Sequence, residues 1–255
     1  MTFFRLVVFS LTLLHSLPAT FGNDAPAATP CEQHEKPTVK TDSDAASKEK
    51  AAGEQASGKK VKKGGKEREV KYKSLFDGKT LAGWKKTEFG GEGDVTIEKG
   101  GELVLDYGAN LTGVTYTKEF PKTNYEIVAE CRRIAGTDFF CGLTFPVSDS
   151  HCSLILGGWG GALVGLSTID GLDASMNETN QIVSFTKGKW YKVKLQVTPK
   201  KILVWLDNKQ IISQDLAKHK ISVRPEVLPN CPLGFASFAT QAGIRNVQYR
   251  ELKKD

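Results

Sequence analysis

The sequence lacks most of the short motifs that mark common enzyme chemistries. It has no G-x-S-x-G nucleophile elbow, H-E-x-x-H helix, P-loop or dinucleotide-binding glycine fingerprint. Histidine is scarce, with 4 in 255 residues, and only His151 and His219 come after residue 70. A histidine-rich zinc centre or a Ser-His-Asp triad therefore has few candidate members, and no nucleotide cofactor is expected. The function classes that remain are carboxylate catalysis, an oxygen-ligated metal such as Ca²⁺, and ligand binding without catalysis.

The chain also lacks an apolar run long enough to cross a membrane. Its most apolar stretch, residues 6–14, follows Arg5 and precedes Pro18 and small residues up to Gly22. This order is typical of a secretory signal peptide, whereas a transmembrane helix needs about 20 apolar residues. Residues 1–22 are therefore predicted to be a signal peptide, and the protein is expected to be secreted or periplasmic with no transmembrane span.

Residues 23–70 contain no Phe, Trp or Tyr and are rich in Ala, Lys, Glu, Thr, Ser and Pro. Such a segment cannot bury enough apolar surface to offset the entropy of ordering it, so we predict a disordered linker. Its basic end, KKVKKGGK, suits contact with an acidic cell surface, although a solvated tether explains the same charges. Export argues against nucleic acid as a partner.

From residue 71 to 255 the pattern is one of short strands between turns. WYKVKLQV alternates apolar and polar residues, as expected of a half-buried strand. KILVWL is apolar on both faces, and Asp207-Asn208 predicts a hairpin turn into KQIIS. Many strands at such spacing predict an all-β sandwich or barrel. Trp84, Trp190 and Trp205 lie in strand-like patterns and are expected in its core.

Four cysteines lie in this domain: Cys131, Cys141, Cys152 and Cys231. In an oxidising compartment they could form two disulfides in any of three connectivities, or they could be small buried core residues. None of their spacings gives a C-x-x-C pair, so structural zinc is not expected.

Several segments resemble the 3-keto-disaccharide hydrolase family, long catalogued as a domain of unknown function. SLFDGKTLAGW is similar to its opening signature and IRNVQYREL to its final strand, and YEIVAECR, CGLTF and GKWYKVKLQV resemble strands between them. The resemblance implies a two-sheet jelly-roll sandwich of the concanavalin A-like lectin/glucanase type, a sugar-binding concave sheet and, in some members, cleavage of glycosides oxidised at C3. The sequence departs from the family at Pro146, where many members carry a basic residue, and near Gln241, where a histidine is expected.

The strand YEIVAECRRI carries the first pair of candidate catalytic residues. Tyr125, Ile127, Ala129 and Cys131 share its apolar face, whereas Glu130 and Arg132 share its polar face. In a jelly roll, the polar face of a central strand would line the concave groove. We hypothesise that Glu130 is the base and Arg132 stabilises an enolate, because the resemblance places an acidic and a basic residue there. A solvated surface ion pair explains the same pattern.

A glycine-rich segment, residues 157–179, supplies the candidate sugar-binding residues. Glycines flank Trp159, which could expose its ring to a sugar face. Four further residues bear oxygen groups suited to hydroxyls or Ca²⁺, although turn formation explains them equally: Asp170, Asp173, Asn177 and Glu178. His151 follows SDS at the start of a strand and could face the groove.

Two functions fit these residues. A ketone at C3 of a sugar acidifies the hydrogen on C2, so a base can remove it and the enolate can expel the group at C1. The alternative is a non-catalytic carbohydrate-binding module that the linker presents at the cell surface. An enzyme should gather Glu130, Arg132 and a further polar group in one pocket, whereas a binding module should show a groove with exposed aromatic rings.

Overall fold

The computed structural model describes residues 71–253. The expected signal peptide, residues 1–22, and the expected linker, residues 23–70, lie outside the described residues and stay predictions. Within residues 71–253, no helix is long and apolar enough to cross a membrane.

Two antiparallel sheets make up the described domain. The larger sheet, here the first sheet, runs β13-β12-β11-β6-β15-β4-β3, with β1 also paired to β15, and the second sheet runs β10-β9-β8-β7-β14-β5-β2. The strands are β1 Lys73–Ser74, β2 Trp84–Lys86, β3 Val95–Glu98, β4 Glu102–Leu105, β5 Thr112–Tyr116, β6 Tyr125–Gly136, β7 Cys141–Val147, β8 Ser150–Gly158, β9 Leu163–Ser167, β10 Gln181–Ile182, β11 Tyr191–Val197, β12 Lys201–Leu206, β13 Lys209–Asp215, β14 Gly234–Ser237 and β15 Thr240–Glu251. One 3-10 helix, Pro225–Asn230, precedes β14. The predicted jelly-roll sandwich is confirmed.

The core lies between the two sheets and is filled by alternate residues of their strands. Tyr125, Ile127 and Cys131 of β6 are buried on the inner face of the first sheet, and Leu143 and Phe145 of β7 are buried on that of the second. Because a strand turns successive side chains to opposite faces, the intervening residues of both sheets point away from the core. The sandwich therefore has two outer faces on opposite sides of the molecule.

The hairpin of β12 and β13 forms at the predicted turn. Asp207 and Asn208 both have positive φ, 48° and 68°, as a two-residue hairpin turn requires. The expectation that KILVWL is covered on both faces is wrong, because Leu203 and Trp205 are only half-buried. Trp84 lies in the core as predicted, at 7% exposure.

Trp190, like Trp205, is half-buried rather than sealed in the core, so the core prediction is wrong for both residues. Each indole lies against a cation of the first sheet: Lys194 Nζ is 3.9 Å from the centre of the Trp205 ring, and Arg245 stacks on Trp190. The apolar pattern of these strands therefore includes indoles that pack against cations instead of against the second sheet.

The segment SLFDGKTLAGW forms a turn at the start of the domain that is held by side-chain hydrogen bonds, here called the locked turn. The Asp77 carboxylate accepts hydrogen bonds from the backbone N–H groups of Lys79 and Thr80, which hold the pKa of Asp77 at about 2. Trp84 Nε1 donates to the Leu75 carbonyl at 2.7 Å, which satisfies the buried indole. These contacts give the signature a structural role.

Candidate functional site

A pocket of about 380 Å³ lies on the outer face of the second sheet. Its floor comes from β8 and β9, one side from the loop before β7 and the end of β14, and another from the start of the 3-10 helix. The lining residues are Asn110, Leu111, Asp138, Phe139, Ser153, Ile155, Trp159, Ser167, Arg224, Glu226, Val227 and Phe238. Loops and a short helix thus build walls on a rigid sheet, which is where binding sites commonly occur.

The floor of the pocket is made of small hydroxyl side chains. Ser153 of β8 pairs in register with Thr144 of β7 on one side and with Ser167 of β9 on the other. The Thr144 and Ser153 hydroxyls are hydrogen-bonded at 2.9 Å. Ser167 Oγ is buried and has no hydrogen-bond partner among the described residues. An unpaired buried hydroxyl is costly, so this one is suited to a ligand hydroxyl or a water molecule.

Aromatic rings stand around this hydroxyl floor. The rings of Phe139 and Phe238 stack with centroids 6.1 Å apart and planes inclined by 28°. Trp159 and Phe238 keep 45% and 41% of their surface exposed, although both are large apolar residues. Gly142 makes room for this arrangement, because a Cβ there would lie 3.0 Å from the Phe139 ring.

Trp159 is held at the pocket by a tight turn between β8 and β9. Its φ is +46°, a left-handed conformation that is uncommon for a residue with a side chain. Asp138 stabilises the turn, since its carboxylate accepts hydrogen bonds from the backbone N–H groups of Trp159, Gly160 and Phe139 at 3.1, 3.2 and 2.8 Å. This carboxylate therefore positions the Trp159 backbone.

Arg133 fixes the same turn from inside the sandwich. It follows Cys131 on the inner face of β6 and is only 8% exposed. Its Nη2 donates to the carbonyls of Asp138, Gly157 and Gly161 at 3.1, 3.2 and 2.8 Å. A buried guanidinium thus ties the loop before β7 to the Trp159 turn, and hydrogen bonds to charged groups of this kind are strong.

Arg224 and Glu226 form a charged rim where the 3-10 helix begins. The Arg224 guanidinium pairs with the Glu226 carboxylate and, at 3.2 Å, with Asp173. Both residues are substantially exposed, so the pair is solvated rather than sealed over the floor. These charged groups lie at the mouth of the pocket, and they already form ion pairs with one another.

The hypothesised catalytic pair, Glu130 and Arg132, lies on the outer face of the first sheet. Glu130 accepts a hydrogen bond from Arg245 Nε at 2.7 Å, and Arg132 forms a two-point pair with Glu102 at 2.7 and 2.6 Å. Glu130 and Arg132 do not face the pocket that Trp159 lines, because Cys131 between them faces the core and the pocket is on the other sheet. Their catalytic role stays a prediction.

Trp190 connects the two ion pairs of the first sheet. The Arg132 and Arg245 guanidinium carbons lie 4.8 and 4.0 Å from the centre of its ring. Such cation–π stacking fixes the two cations in place. Arg132 and Arg245 therefore each have both a carboxylate partner and an aromatic surface.

The structure does not gather the four predicted oxygen-bearing residues around one ligand. Asp170 bonds His219 Nδ1 and the backbone of Lys220, both at 2.7 Å, and these contacts lower its pKa. Asp173 pairs with Arg224, at the edge of the pocket rim.

The other two members of that set are likewise engaged by other groups of the protein. The buried Asn177 Nδ2 donates to the carbonyl of Leu166 at 2.7 Å, and Glu178 accepts from Gln214 at 2.8 Å. Within residues 71–253, no group of three or more His, Cys, Asp or Glu side chains could hold a metal ion. All four residues are therefore engaged by other groups of the protein, in part through contacts between distant segments.

His151 stands on β8 two residues before Ser153 and so shares the outer face of the second sheet. It is half-buried, and it is not one of the pocket-lining residues. Burial, with a smaller effect of the Lys122 charge, lowers the pKa of His151. The ring is therefore biased toward its neutral form.

Sequence reasoning missed three residues that build the site: Arg133, Asp138 and Ser167. For Arg133 a signal was present, because the alternation of YEIVAECRRI places this charge on the apolar face. Ser167 gave no comparable signal, since its position beside Ser153 depends on strand pairing. The Asp138 contacts also depend on a distant segment, the turn at Trp159.

The fold is a two-sheet β-sandwich of the concanavalin A-like lectin/glucanase type, with its candidate site on one outer face. A family model described as the 3-keto-alpha-glucoside-1,2-lyase-like domain matches residues 71–253. The chain belongs to this family, and the resemblance seen in its opening and closing segments is confirmed. No curated protein sequence matches the chain.

Solved structures with similar folds are related to this chain only distantly in sequence. A candidate glycosyl hydrolase from Parabacteroides distasonis is 19% identical with a TM-score of 0.48, covering 71% of this chain and 94% of that one. The Crh5 transglycosylase in complex with NAG is 12% identical with a TM-score of 0.50, covering 69% and 82%. The carbohydrate-binding module CBM66 from Bacillus subtilis is 12% identical with a TM-score of 0.43, covering 66% and 96%.

Proposed function

We propose that the domain binds a neutral carbohydrate in the pocket of the second sheet. The proposal rests on the buried Ser167 hydroxyl, which has no partner among residues 71–253 and lines the same pocket as the exposed rings of Trp159 and Phe238. A sugar has an apolar ring face and a rim of hydroxyl groups, so it can stack on an aromatic ring while one hydroxyl bonds the floor. Binding pockets generally combine an apolar lining with a few placed polar groups.

The charges around the pocket support binding rather than cleavage. Its floor carries hydroxyl groups, which are poor bases at neutral pH. The Asp138 carboxylate is engaged by three backbone N–H groups, and Glu226 is paired with Arg224 at the rim. Pro146 also provides no charge beside Thr144 on β7, whereas the resemblance implies a basic residue there in many members of the family. A proton abstraction from C2 would need a free base, which these contacts do not supply.

Cleavage of 3-keto glycosides is the second candidate, and the family match favours it. In this pocket Glu226 would be the base that takes the C2 proton, and Arg224 would stabilise the enolate oxygen at C3. The bond from C1 to the leaving oxygen would then break, and that oxygen would take up a proton. This candidate requires the Arg224–Glu226 pair to open when the substrate binds.

Calorimetric titration with neutral oligosaccharides and 3-keto glycosides, combined with product detection, tests both candidates. We expect binding without released product. Ser167→Ala should weaken binding about 2- to 10-fold, the effect of one hydrogen bond of about 0.5–1.5 kcal/mol. The matched control is Ser150→Ala, because Ser150 lies on the same strand as the floor residue Ser153 but its hydroxyl bonds the Ile221 carbonyl.

The outcomes separate the candidates. Product release that Glu226→Gln abolishes would establish the lyase and overturn the binding-only function. If all sugars bind wild type and Ser167→Ala equally, or none binds, the pocket is not the carbohydrate site. Product release abolished by Glu130→Gln instead would move the chemistry to the first sheet.

We also propose that the protein is exported and that the basic linker contacts an acidic cell surface. The charged start, apolar run and small residues of segment 1–22 support export. N-terminal sequencing of protein from the culture medium and periplasm checks it, and a mature chain that still begins at Met1 would contradict it. Release of a linker-bearing protein from cells by salt would support surface contact.

A further inference from the structure

Two of the four domain cysteines meet in the centre of the sandwich. Cys131 lies on the inner face of β6 in the first sheet, and Cys141 begins β7 in the second. Their sulfur atoms are 3.5 Å apart, and both residues are completely buried. The two sheets thus approach each other through this pair of side chains.

The other two cysteines are placed differently. Cys152 is buried, but its sulfur lies near the carbonyls of Ser153 and Ser167, at 4.0 and 3.7 Å. Cys231 is half-exposed and precedes Pro232 at the end of the 3-10 helix. Among the described cysteines, only Cys131 and Cys141 are in sulfur contact, so the structure selects one of the pairs that the sequence left open.

We propose that Cys131 and Cys141 form a disulfide that joins the two sheets when the chain folds in an oxidising environment. A disulfide needs its sulfurs about 2.0 Å apart, so the observed contact must close by about 1.5 Å, within reach of side-chain rotation and slight strand movement. The bond would close a loop over residues 131–141 and constrain the unfolded chain accordingly.

The bond forms by exchange with an external disulfide, such as oxidised glutathione or a protein disulfide oxidant. The thiolate of one cysteine attacks a sulfur of that disulfide, breaks its S–S bond and releases one thiol. The thiolate of the other cysteine then attacks the mixed disulfide, forms the Cys131–Cys141 bond and releases the second thiol. The two cysteine protons end on the released thiols, and the external disulfide takes up two electrons.

This chemistry must occur before the sandwich closes. The two sulfurs have no exposed surface, and the contact with Cys141 together with burial raises the pKa of Cys131. Thiolate formation and access by an oxidant are therefore both suppressed in the folded domain. The reduced folded protein should consequently resist oxidation, whereas a refolding chain should not.

The test uses the full-length chain, unfolded and reduced, then refolded with a mixture of reduced and oxidised glutathione. Free thiols are alkylated in denaturant, the protein is digested with trypsin and the Asp-specific endoproteinase Asp-N, and linked peptides are identified by mass spectrometry. Cleavage before Asp149 is needed because trypsin leaves Cys141 and Cys152 in one peptide. We expect a link between Cys131 and Cys141, with Cys152 alkylated directly.

Matched variants decide the result. Cys152→Ala also removes a fully buried thiol but should keep the link, whereas Cys141→Ala should abolish it and leave Cys131 free for alkylation. Direct alkylation of both Cys131 and Cys141 after oxidative refolding would overturn the proposal, as would a link from Cys131 to Cys152. Reduced protein exposed to the same glutathione mixture after folding should show at least tenfold less link in the same time.

Discussion

The two outer faces of the sandwich carry polar side chains in different states. On the first sheet, Glu130 is paired with Arg245, Arg132 with Glu102, and both cations stack on Trp190. On the second sheet, small hydroxyls lie beneath exposed aromatic rings. One of them, Ser167, has no partner among the described residues.

This difference shows that a charged surface is not by itself a functional one. Charges that satisfy each other have little left to offer a ligand, whereas an unpaired buried hydroxyl gains its hydrogen bond when a ligand arrives. The second sheet is therefore the better candidate for binding, and the first sheet is better understood as a stabilised surface. The predictions that follow test this assignment from the largest expected effect to the smallest.

The largest effect is expected from Arg133→Met, which removes the cation beneath the Trp159 turn. The carbonyls of Asp138, Gly157 and Gly161 would lose their donor, and lost hydrogen bonds to a charged group typically cost about 1.5–3 kcal/mol each. We expect the free energy of unfolding to fall by about 3 kcal/mol or more, measured by urea denaturation, with sugar binding also weakened. Lys192→Met, an exposed site on β11, is the control and should change neither quantity.

The second-largest effect is expected on sugar affinity, from the loss of an aromatic ring at the pocket. Trp159→Ala should weaken sugar binding about 10- to 100-fold, because burying a large apolar side chain is worth about 1.5–3 kcal/mol. Isothermal titration calorimetry measures it, and Trp190→Ala provides the matched loss of an indole on the opposite face. Equal losses in the two variants would remove the distinction between the faces.

A smaller effect is expected on the first sheet. Glu130→Gln removes one charge of a partly exposed ion pair, so the free energy of unfolding should fall by no more than about 1 kcal/mol. Carbohydrate affinity should stay within twofold of wild type. A large loss of affinity with unchanged stability would show that the first sheet carries the binding site.

The smallest effect is a pH dependence at His151 on the second sheet. Because its pKa is lowered in the folded state, the unfolded chain binds the proton more readily below about pH 6.5. Stability should therefore fall as the pH decreases from about 6.5 toward the folded-state pKa, and His151→Gln should flatten this part of the profile. Thermal melts between pH 5 and 7.5 measure it, and identical slopes for the two proteins would contradict it.

Local patterns predicted an all-β sandwich or barrel, and the family resemblance selected the two-sheet jelly roll. The alternation of WYKVKLQV and the Asp207-Asn208 turn identified a strand and a hairpin, since both depend on neighbouring residues. The glycines around Trp159 indicated an exposed ring, and the structure places that ring at the pocket. Each of these features is set by backbone conformation within a few residues.

The candidate site depended on contacts that local patterns do not reveal. The sequence did not show that Glu130 is paired, because its partner Arg245 lies 115 residues later in the chain. Ser167 looked unremarkable because only the pairing of β8 with β9 places it beside Ser153. Which outer face carries the pocket is likewise decided by where the 3-10 helix docks, a tertiary outcome that strand periodicity cannot predict.

The locked turn at Asp77 has a consequence for how relatives are recognised. Its carboxylate bonds the backbone of Lys79 and Thr80, and the Trp84 indole bonds Leu75. None of these five residues lines the pocket. A sequence search that relies on this segment will therefore find chains with the same sandwich fold. Enzymes and non-catalytic sugar-binding proteins can share the signature and differ in the pocket residues of the second sheet.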